Sequence, residues 1–420
     1  MTFQGSKNFA EKLDTEDKLA SYRDRFFIPK TNDGDDVIYF CGNSLGLQPK
    51  SVRSFVEQEL MDWESLGVEG HFRAKNPWVP YHELLTEQTA RLVGAKPIEV
   101  VVMNTLTVNL HLMLVSFYRP TTMRHKIMIE SNPFPSDRYA VESQIRFHGF
   151  DPKRSLIELQ PRSGEDTLRT EGIEDVLEAD GDEIALVLLG GVNYYSGQAF
   201  DMERITRVAQ SQGCIVGFDL AHAAGNIVLQ LHEWNVDFAV WCSYKYLNSG
   251  PGSIAGCFVH ERHATNSSLP RFTGWWGQNK HIRFKMGPTF DAIPGAEGWQ
   301  LSNPPILPLA ALRASMEIFA EVGMEKLRAK SVKLTAYLEF LLDQHLGQKF
   351  SVITPRDPKQ RGCQLSIQVK ENGRALFDHL TRKGVVCDWR EPDVIRVAPV
   401  PLYNSFTDVW RVVDIMTMET

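Results

Sequence analysis

Between residues 99 and 260 the chain alternates short aliphatic, β-branched runs with longer stretches whose apolar positions recur at helical spacing. The runs lie at 99–103, 126–130, 183–189, 214–219, 238–243 and 253–259. Strands separated by ten or more helical residues cannot close as hairpins, so this pattern predicts βαβ units and a mainly parallel sheet with helices on both faces. Ahead of it, residues 9–22 set Leu13 and Leu19 among charged residues at helical spacing, Pro29 ends that helix, and 37–40 reads as a short strand. Pro304, Pro305 and Pro308 then interrupt the alternation. Beyond them 310–319 and 324–342 read as helices, and 364–369 and 394–398 as strands around a helix at 374–383, which predicts a smaller α+β unit. The expected organisation is an N-terminal arm with helices over residues 1–70, a large domain over 71–310 and a small C-terminal domain over 311–420. No internal repeat or low-complexity tract interrupts it.

Composition narrows the classes of function. At 420 residues and 43% hydrophobic the chain has core material for two or three domains. Its net charge of −7 gives no attractive field for a polyphosphate, so nucleic acid is not an expected partner. The six cysteines include no C-x-x-C pair, which predicts neither a zinc site nor a disulfide framework, no metal, and a reducing compartment. The N-terminal segment is charged rather than signal-like, and the apolar run at 184–189 is far short of the ~20 residues that span a bilayer. The expectation is a soluble, cytoplasmic protein without membrane association.

The chemistry concentrates at strand ends. Asp219 closes the run 214–219, ahead of Leu220-Ala221-His222, and Lys245 follows the next run within Ser243-Tyr244-Lys245-Tyr246. In a parallel sheet both side chains emerge at the carboxyl edge, where open α/β folds bind ligands. A structural ion pair is one reading. An amine that forms an imine with pyridoxal phosphate, beside a carboxylate that keeps the pyridine nitrogen protonated, is the reading that both motifs in order favour. Asn104-Thr105-Leu106-Thr107 follows the run 99–103 at a helix start, where N–H groups and the Thr107 hydroxyl form an anion site or merely a cap. Phe134-Pro135-Ser136-Asp137 follows the run 126–130 at the same edge. Phe134 can lie on a planar ring there and Asp137 can reach its rim, unless the segment is an ordinary turn. The Gly42–Leu47 segment lacks both nucleotide-loop registers, and Trp275-Trp276 fits packing as well as ligand contact. Arg396, alone in an apolar strand, needs a bidentate carboxylate from an acidic side chain or from a substrate.

These segments together resemble kynureninase: YFCGNSLGLQPK from Tyr39, MNTLTVNLHL from Met103, the turn at Phe134, the Asp219 and Lys245 motifs, Arg283-Phe284-Lys285-Met286 with Pro294-Gly295, SNPPIL from Ser302 and RVAPVPLYNSF from Arg396. The resemblance implies an aspartate-aminotransferase-like, fold type I enzyme that uses pyridoxal 5′-phosphate. It implies a homodimer with shared active sites that hydrolyses L-kynurenine or 3-hydroxy-L-kynurenine to anthranilate or 3-hydroxyanthranilate plus L-alanine, in tryptophan catabolism and NAD biosynthesis. By motif, Lys245 is then the cofactor lysine, Asp219 the pyridinium partner and Tyr244 a proton relay. His222, Leu106, Thr107, Phe134, Pro135, Ser136 and Asp137 belong to the cofactor pocket, with Trp275 and Asn303 lent by the other subunit. Ser44, His71, Asn303 and Arg396 serve the substrate, Arg396 as the clamp for its α-carboxylate. Gly190 stands where some members carry a serine that helps hold the cofactor. His71 and Ser302-Asn303 follow the animal and fungal pattern, which implies a preference for 3-hydroxykynurenine. The alternatives are another fold type I enzyme, a cysteine desulfurase or an aminotransferase, and a non-catalytic metabolite-binding α/β protein. Cys363 and Cys387, set against apolar strand residues, look structural rather than reactive.

Overall fold

The computed structural model describes residues 2–266, 268–345 and 347–419. Among the described residues thirteen strands follow in chain order. The first, β1 (Ile38–Tyr39), precedes seven that form the large sheet: β2 (Val100–Met103), β3 (Lys126–Glu130), β4 (Leu156–Leu159), β5 (Ile184–Gly190), β6 (Ile215–Asp219), β7 (Phe238–Cys242) and β8 (Ala255–Val259). The last five are β9 (Phe350–Val352), β10 (Leu365–Val369), β11 (Val385–Val386), β12 (Asp388–Arg390) and β13 (Val394–Val397).

The large sheet runs β2-β8-β7-β6-β5-β3-β4, and only β8 is antiparallel to its neighbours, which agrees with the mainly parallel sheet expected. Its central strands are buried on both faces and read accordingly as unbroken apolar runs such as Ile-Ala-Leu-Val-Leu-Leu in β5. The seventh strand, β4, was not expected. Leu-Ile-Glu-Leu is an edge strand only partly buried along most of its length, so its pattern is too short and too mixed to stand out.

The chain leaves β3 for the edge at β4 and returns to β5 on the other side of β3. The carboxyl ends of β3, β5 and β6 therefore meet at a topological switch point, where such sheets place ligands. Backbone spacing there leaves no doubt about neighbours: Gly190 is in register with Asp219 across β5 and β6.

The second sheet, β12-β13-β10-β9, is antiparallel and packs with the helices Met324–His345 and Phe406–Glu419. Ala10 and Leu13 of the first helix and Ile38 and Phe40 around β1 join this same core, while β1 pairs with β11. The first helix stops at Glu16 rather than running through 22, because the Asp17 carboxylate accepts the Leu19 amide at 2.9 Å and is anchored by the buried Lys330 at 2.7 Å. Pro308 does not break the following helix. It lies in the first turn of Ile306–Val322, where a missing N–H costs no internal bond.

Candidate active site

Four segments converge at the switch point, each delivered by a strand end. After β7 the lysine loop turns through Asn248, Gly250 and Gly252, all at positive φ, and is braced by Ser249 Oγ donating to Ser243 Oγ at 2.6 Å. Gly46 supports it from the N-terminal segment, donating its N–H to the Tyr244 carbonyl at 2.9 Å. A side chain there has no room: a Cβ on Gly46 would stand 2.3 Å from both the Asn248 Oδ1 and the Lys245 carbonyl oxygen. The segment read as a failed nucleotide loop is thus a close-packed brace under the lysine.

Lys245 Nζ lies 2.9 Å from His222 Nε2. Burial, and then the Lys245 ammonium, hold the imidazole well below its usual pKa, so His222 is neutral and presents an acceptor to the amine. Asp219, closing β6, accepts the Ala221 amide at 2.7 Å. Beside it Asp137 is pushed well above the usual carboxylate range, first by burial and then by the charges of Asp219 and Glu130. Burial raises Asp219 as well, but the Ala221 amide and Lys245 oppose it, so the proton this pair shares sits on Asp137. Burial also pushes the Tyr244 phenol upward, and it keeps its proton at neutral pH as a donor.

One cavity is lined by Leu106, Thr107, Phe134, Ser136, Asp137, Asp219, His222, Tyr244 and Lys245, which brings together nine of the residues singled out in the sequence. Thr107 and Ser136 stand in the first turns of the helices Leu106–Phe117 and Pro135–Phe147, with their hydroxyls 3.0 Å apart. Two converging helix N-termini and two hydroxyls suit a phosphate. Phe134 lies with its ring centroid 5.7 Å from Lys245 Nζ, and Asp137 Oδ1 is buried without a partner. An amine, a carboxylate, an aromatic face and a phosphate cradle around one space fit pyridoxal 5′-phosphate in every part. Pro135 contributes as the first residue of its helix, where it needs no N–H partner.

Arg396 is buried and adjoins the cavity through Tyr194, whose carbonyl accepts from it at 2.6 Å. It also pairs with Asp388, across the β12 and β13 register, and Asp388 accepts from Arg390 at 3.0 Å. The carboxylate that Arg396 needs is thus present within the chain, while its Nε remains unpartnered. Ser44, His71, Trp275 and Asn303 do not line the cavity. Ser44 and Asn303 are exposed, His71 packs edge-on against Trp78, and Trp275 donates to the Arg283 carbonyl at 3.3 Å. Glu130, Gly190, Val192 and Tyr194 line the cavity without having been singled out as site residues. For Glu130 the signal was present, since a carboxylate closes an apolar strand there just as at Asp219.

Comparisons with known proteins agree with this geometry. Residues 327–416 match the family model described as the kynureninase C-terminal domain. The chain is 63% identical over 411 residues to a protein named kynureninase from Koribacter versatilis, covering 98% of this chain and 97% of that one. It is 61% identical to the kynureninase of Myxococcus xanthus, with 98% and 96% covered, and 52% identical to that of Nematostella vectensis, with 98% and 93% covered. Among solved structures, a cysteine desulfurase from Thermococcus onnurineus superimposes with a TM-score of 0.76 at 18% identity, covering 95% of this chain and 97% of that one. One from Escherichia coli gives 0.77 at 17%, covering 96% and 98%. Those two likenesses establish the shared fold type I architecture, and the sequence relatives establish the rest: the chain belongs to the kynureninase family.

Proposed function

We propose that this chain is a pyridoxal-phosphate-dependent hydrolase that cleaves the Cβ–Cγ bond of L-kynurenine and 3-hydroxy-L-kynurenine, releasing L-alanine with anthranilate or 3-hydroxyanthranilate. The observation that carries the reading is the placement of Lys245, Asp219 and Phe134 around one cavity at the carboxyl edge of the sheet, closed on one side by two helix N-termini. Bound there, pyridoxal phosphate supplies an electron sink for the bonds broken next to the amino acid's α-carbon.

The protein's own groups do the remaining work. Thr107 and Ser136 would hold the phosphate end, and Phe134 would cover the ring. Asp219 is the carboxylate kept ionised, because the adjacent proton rests on Asp137, and it would keep a bound cofactor's ring nitrogen protonated. Lys245 Nζ takes the α-proton and returns it, with neutral His222 at 2.9 Å as its hydrogen-bond partner in either state. Tyr244, kept as a phenol, donates a proton or hydrogen bond rather than removing one. Arg396 grips the α-carboxylate with donors not consumed by Asp388. Water adds to the side-chain ketone, and collapse of that hydrate to a carboxylic acid breaks the Cβ–Cγ bond, the electron pair left on Cβ taking a proton to give alanine's methyl group.

The desulfurase alternative needs a reactive thiol, and the partly exposed Cys41 is pushed up to about 11, first by burial and then by the Asp388 charge. Cys363 is 1% exposed and burial pushes its thiol up to about 12, and burial likewise raises Cys387 far above neutrality. A second copy of the chain completes the site in this reading. Phe72, Trp275 and Phe284 form an exposed aromatic group beside His71, which suits a face covered by a partner that brings Trp275 and Asn303 to the neighbouring cavity. In that arrangement His71 and Asn303 supply the partners that a buried ring hydroxyl requires, hence a preference for 3-hydroxykynurenine. Residues 71–310 then serve as the cofactor-binding domain and 311–420 as the small domain that supplies Arg396. Among the described residues no helix is long and apolar enough to cross a membrane, and free thiols suit a cytoplasmic location. The test is product analysis: purified protein with pyridoxal phosphate and either kynurenine should release alanine and the matching anthranilate in equal amounts. Release of sulfur from cysteine instead, or no product, would refute the assignment.

A further inference from the structure

Glu130 is a buried carboxylate that none of the roles above uses. It closes β3, and the strand order sets β3, β5 and β6 side by side, so that Glu130, Gly190 and Asp219 end three adjacent strands at the switch point. Glu130 is 5% exposed and lines the same cavity as Asp219, Asp137 and Lys245. Both of its oxygens lie 3.1 Å from the Gly190 amide nitrogen, and the Asn193 side-chain amide is its second hydrogen-bond partner. Asn193 is itself fixed, since its Oδ1 accepts the Tyr195 and Ser196 amides at 3.0 and 2.9 Å.

The space that Glu130 fills belongs geometrically to residue 190. A Cβ added to Gly190 would stand 2.8 Å from Glu130 Oε1, so the carboxyl occupies the place of the side chain that glycine lacks. Three carboxyl groups, those of Glu130, Asp137 and Asp219, therefore face a cavity that also holds the Lys245 amine and the neutral imidazole of His222. Like charges that close cannot all ionise, and the cluster must retain protons. Burial, opposed by the Gly190 amide, pushes Glu130 up to about 7, so near neutrality it carries a proton part of the time.

We propose that Glu130 is a positioning residue of the cofactor site: held by the Gly190 amide in the space of the missing 190 side chain, it braces the cavity wall beside Asp219 and adds negative charge at the end of the cavity that faces the ring nitrogen. The proposal rests on the pyridoxal phosphate reading of the cavity. Glu130→Gln keeps the shape and an acceptor for Gly190 while removing the charge. Glu130→Ala removes both, and Gly190→Ser forces a side chain into the carboxyl's space.

The experiment titrates each apoprotein with pyridoxal phosphate and follows the visible band of the lysine-bound cofactor against pH, with circular dichroism to confirm folding. Glu130→Ala and Gly190→Ser should each weaken cofactor binding roughly tenfold or more, the loss expected when a buried amide loses its partner or a side chain is crowded out. Glu130→Gln should bind within about threefold of the parent, yet shift the midpoint of the band downward by about half a pH unit, because the protonated form loses a favourable charge. A purely structural role leaves that midpoint unmoved in Glu130→Gln, and that result overturns the proposal. So does a Gly190→Ser protein that binds the cofactor more tightly than the parent. If the parent itself binds no pyridoxal phosphate, the cofactor reading fails and the proposal falls with it, whereas a parent that binds and variants that match it overturn the proposal alone.

Discussion

Arg396→Leu separates the two carboxylates that one guanidinium can serve. In the structure Arg396 pairs with Asp388 and donates to the Tyr194 carbonyl at 2.6 Å, while Arg390 donates to the same Asp388 oxygen, Oδ2, at 3.0 Å. Loss of Arg396 therefore leaves Asp388 paired, and the cost to folding is that of two charge-assisted bonds, to Asp388 and to the Tyr194 carbonyl, at ~1.5–3 kcal/mol each, without the added penalty of an orphaned buried charge. Catalysis loses, in addition, the clamp on the substrate's α-carboxylate. Two charge-assisted bonds at the same ~1.5–3 kcal/mol each give ~3–6 kcal/mol, and at 1.36 kcal/mol per tenfold this lowers kcat/KM by about 10²–10⁴-fold. Thermal denaturation measures the first quantity and steady-state kinetics with L-kynurenine the second. A variant that melts lower but keeps kcat/KM within threefold of the parent refutes the clamp, and leaves Arg396 as a structural partner of Asp388 alone.

Three further outcomes follow from the site. Asp219→Ala should fold and still bind cofactor, yet lose most of its turnover, because the ionised carboxylate that would keep the ring nitrogen protonated is gone; near-normal kcat would contradict this. Gly46→Ala drives a Cβ to 2.3 Å from the Lys245 carbonyl, and relieving that overlap costs about 1–3 kcal/mol, read as a lower melting temperature together with weaker cofactor binding. An unchanged melting curve would show that the loop is not braced there. Replacing His71 with Trp and Asn303 with Thr should narrow the ratio of kcat/KM for 3-hydroxykynurenine over kynurenine, and a parent that prefers kynurenine refutes the specificity argument.

What was legible in the sequence was whatever a single segment carries. The strands β3, β6 and β7 are apolar runs on their own, and Asp219 and Lys245 announce themselves as charges at the ends of such runs. Residues that matter through pairing were harder to read. Asp388 faces Arg396 only through the antiparallel register of β12 and β13, and neither the three-residue β12 nor the short β9 has a periodicity of its own. Glu130 gains its place from Gly190, 60 residues away, through the strand order. The C-terminal helix Phe406–Glu419 was legible but overlooked: Phe406, Val409, Val413 and Met416 recur at helical spacing after the capping Ser405, and they form the face it buries against Leu13 and Leu338.

In this mechanism Lys245, which lines one cavity with Asp219, is the residue that would hold pyridoxal phosphate. Reduction of the cofactor-loaded protein with borohydride, followed by peptide mass spectrometry, tests it directly. The expected result is a single phosphopyridoxyl group on Lys245, loss of the visible band on reduction, and no label or turnover in Lys245→Ala. A label on any other lysine, or a Lys245→Ala protein that keeps both band and activity, would contradict it.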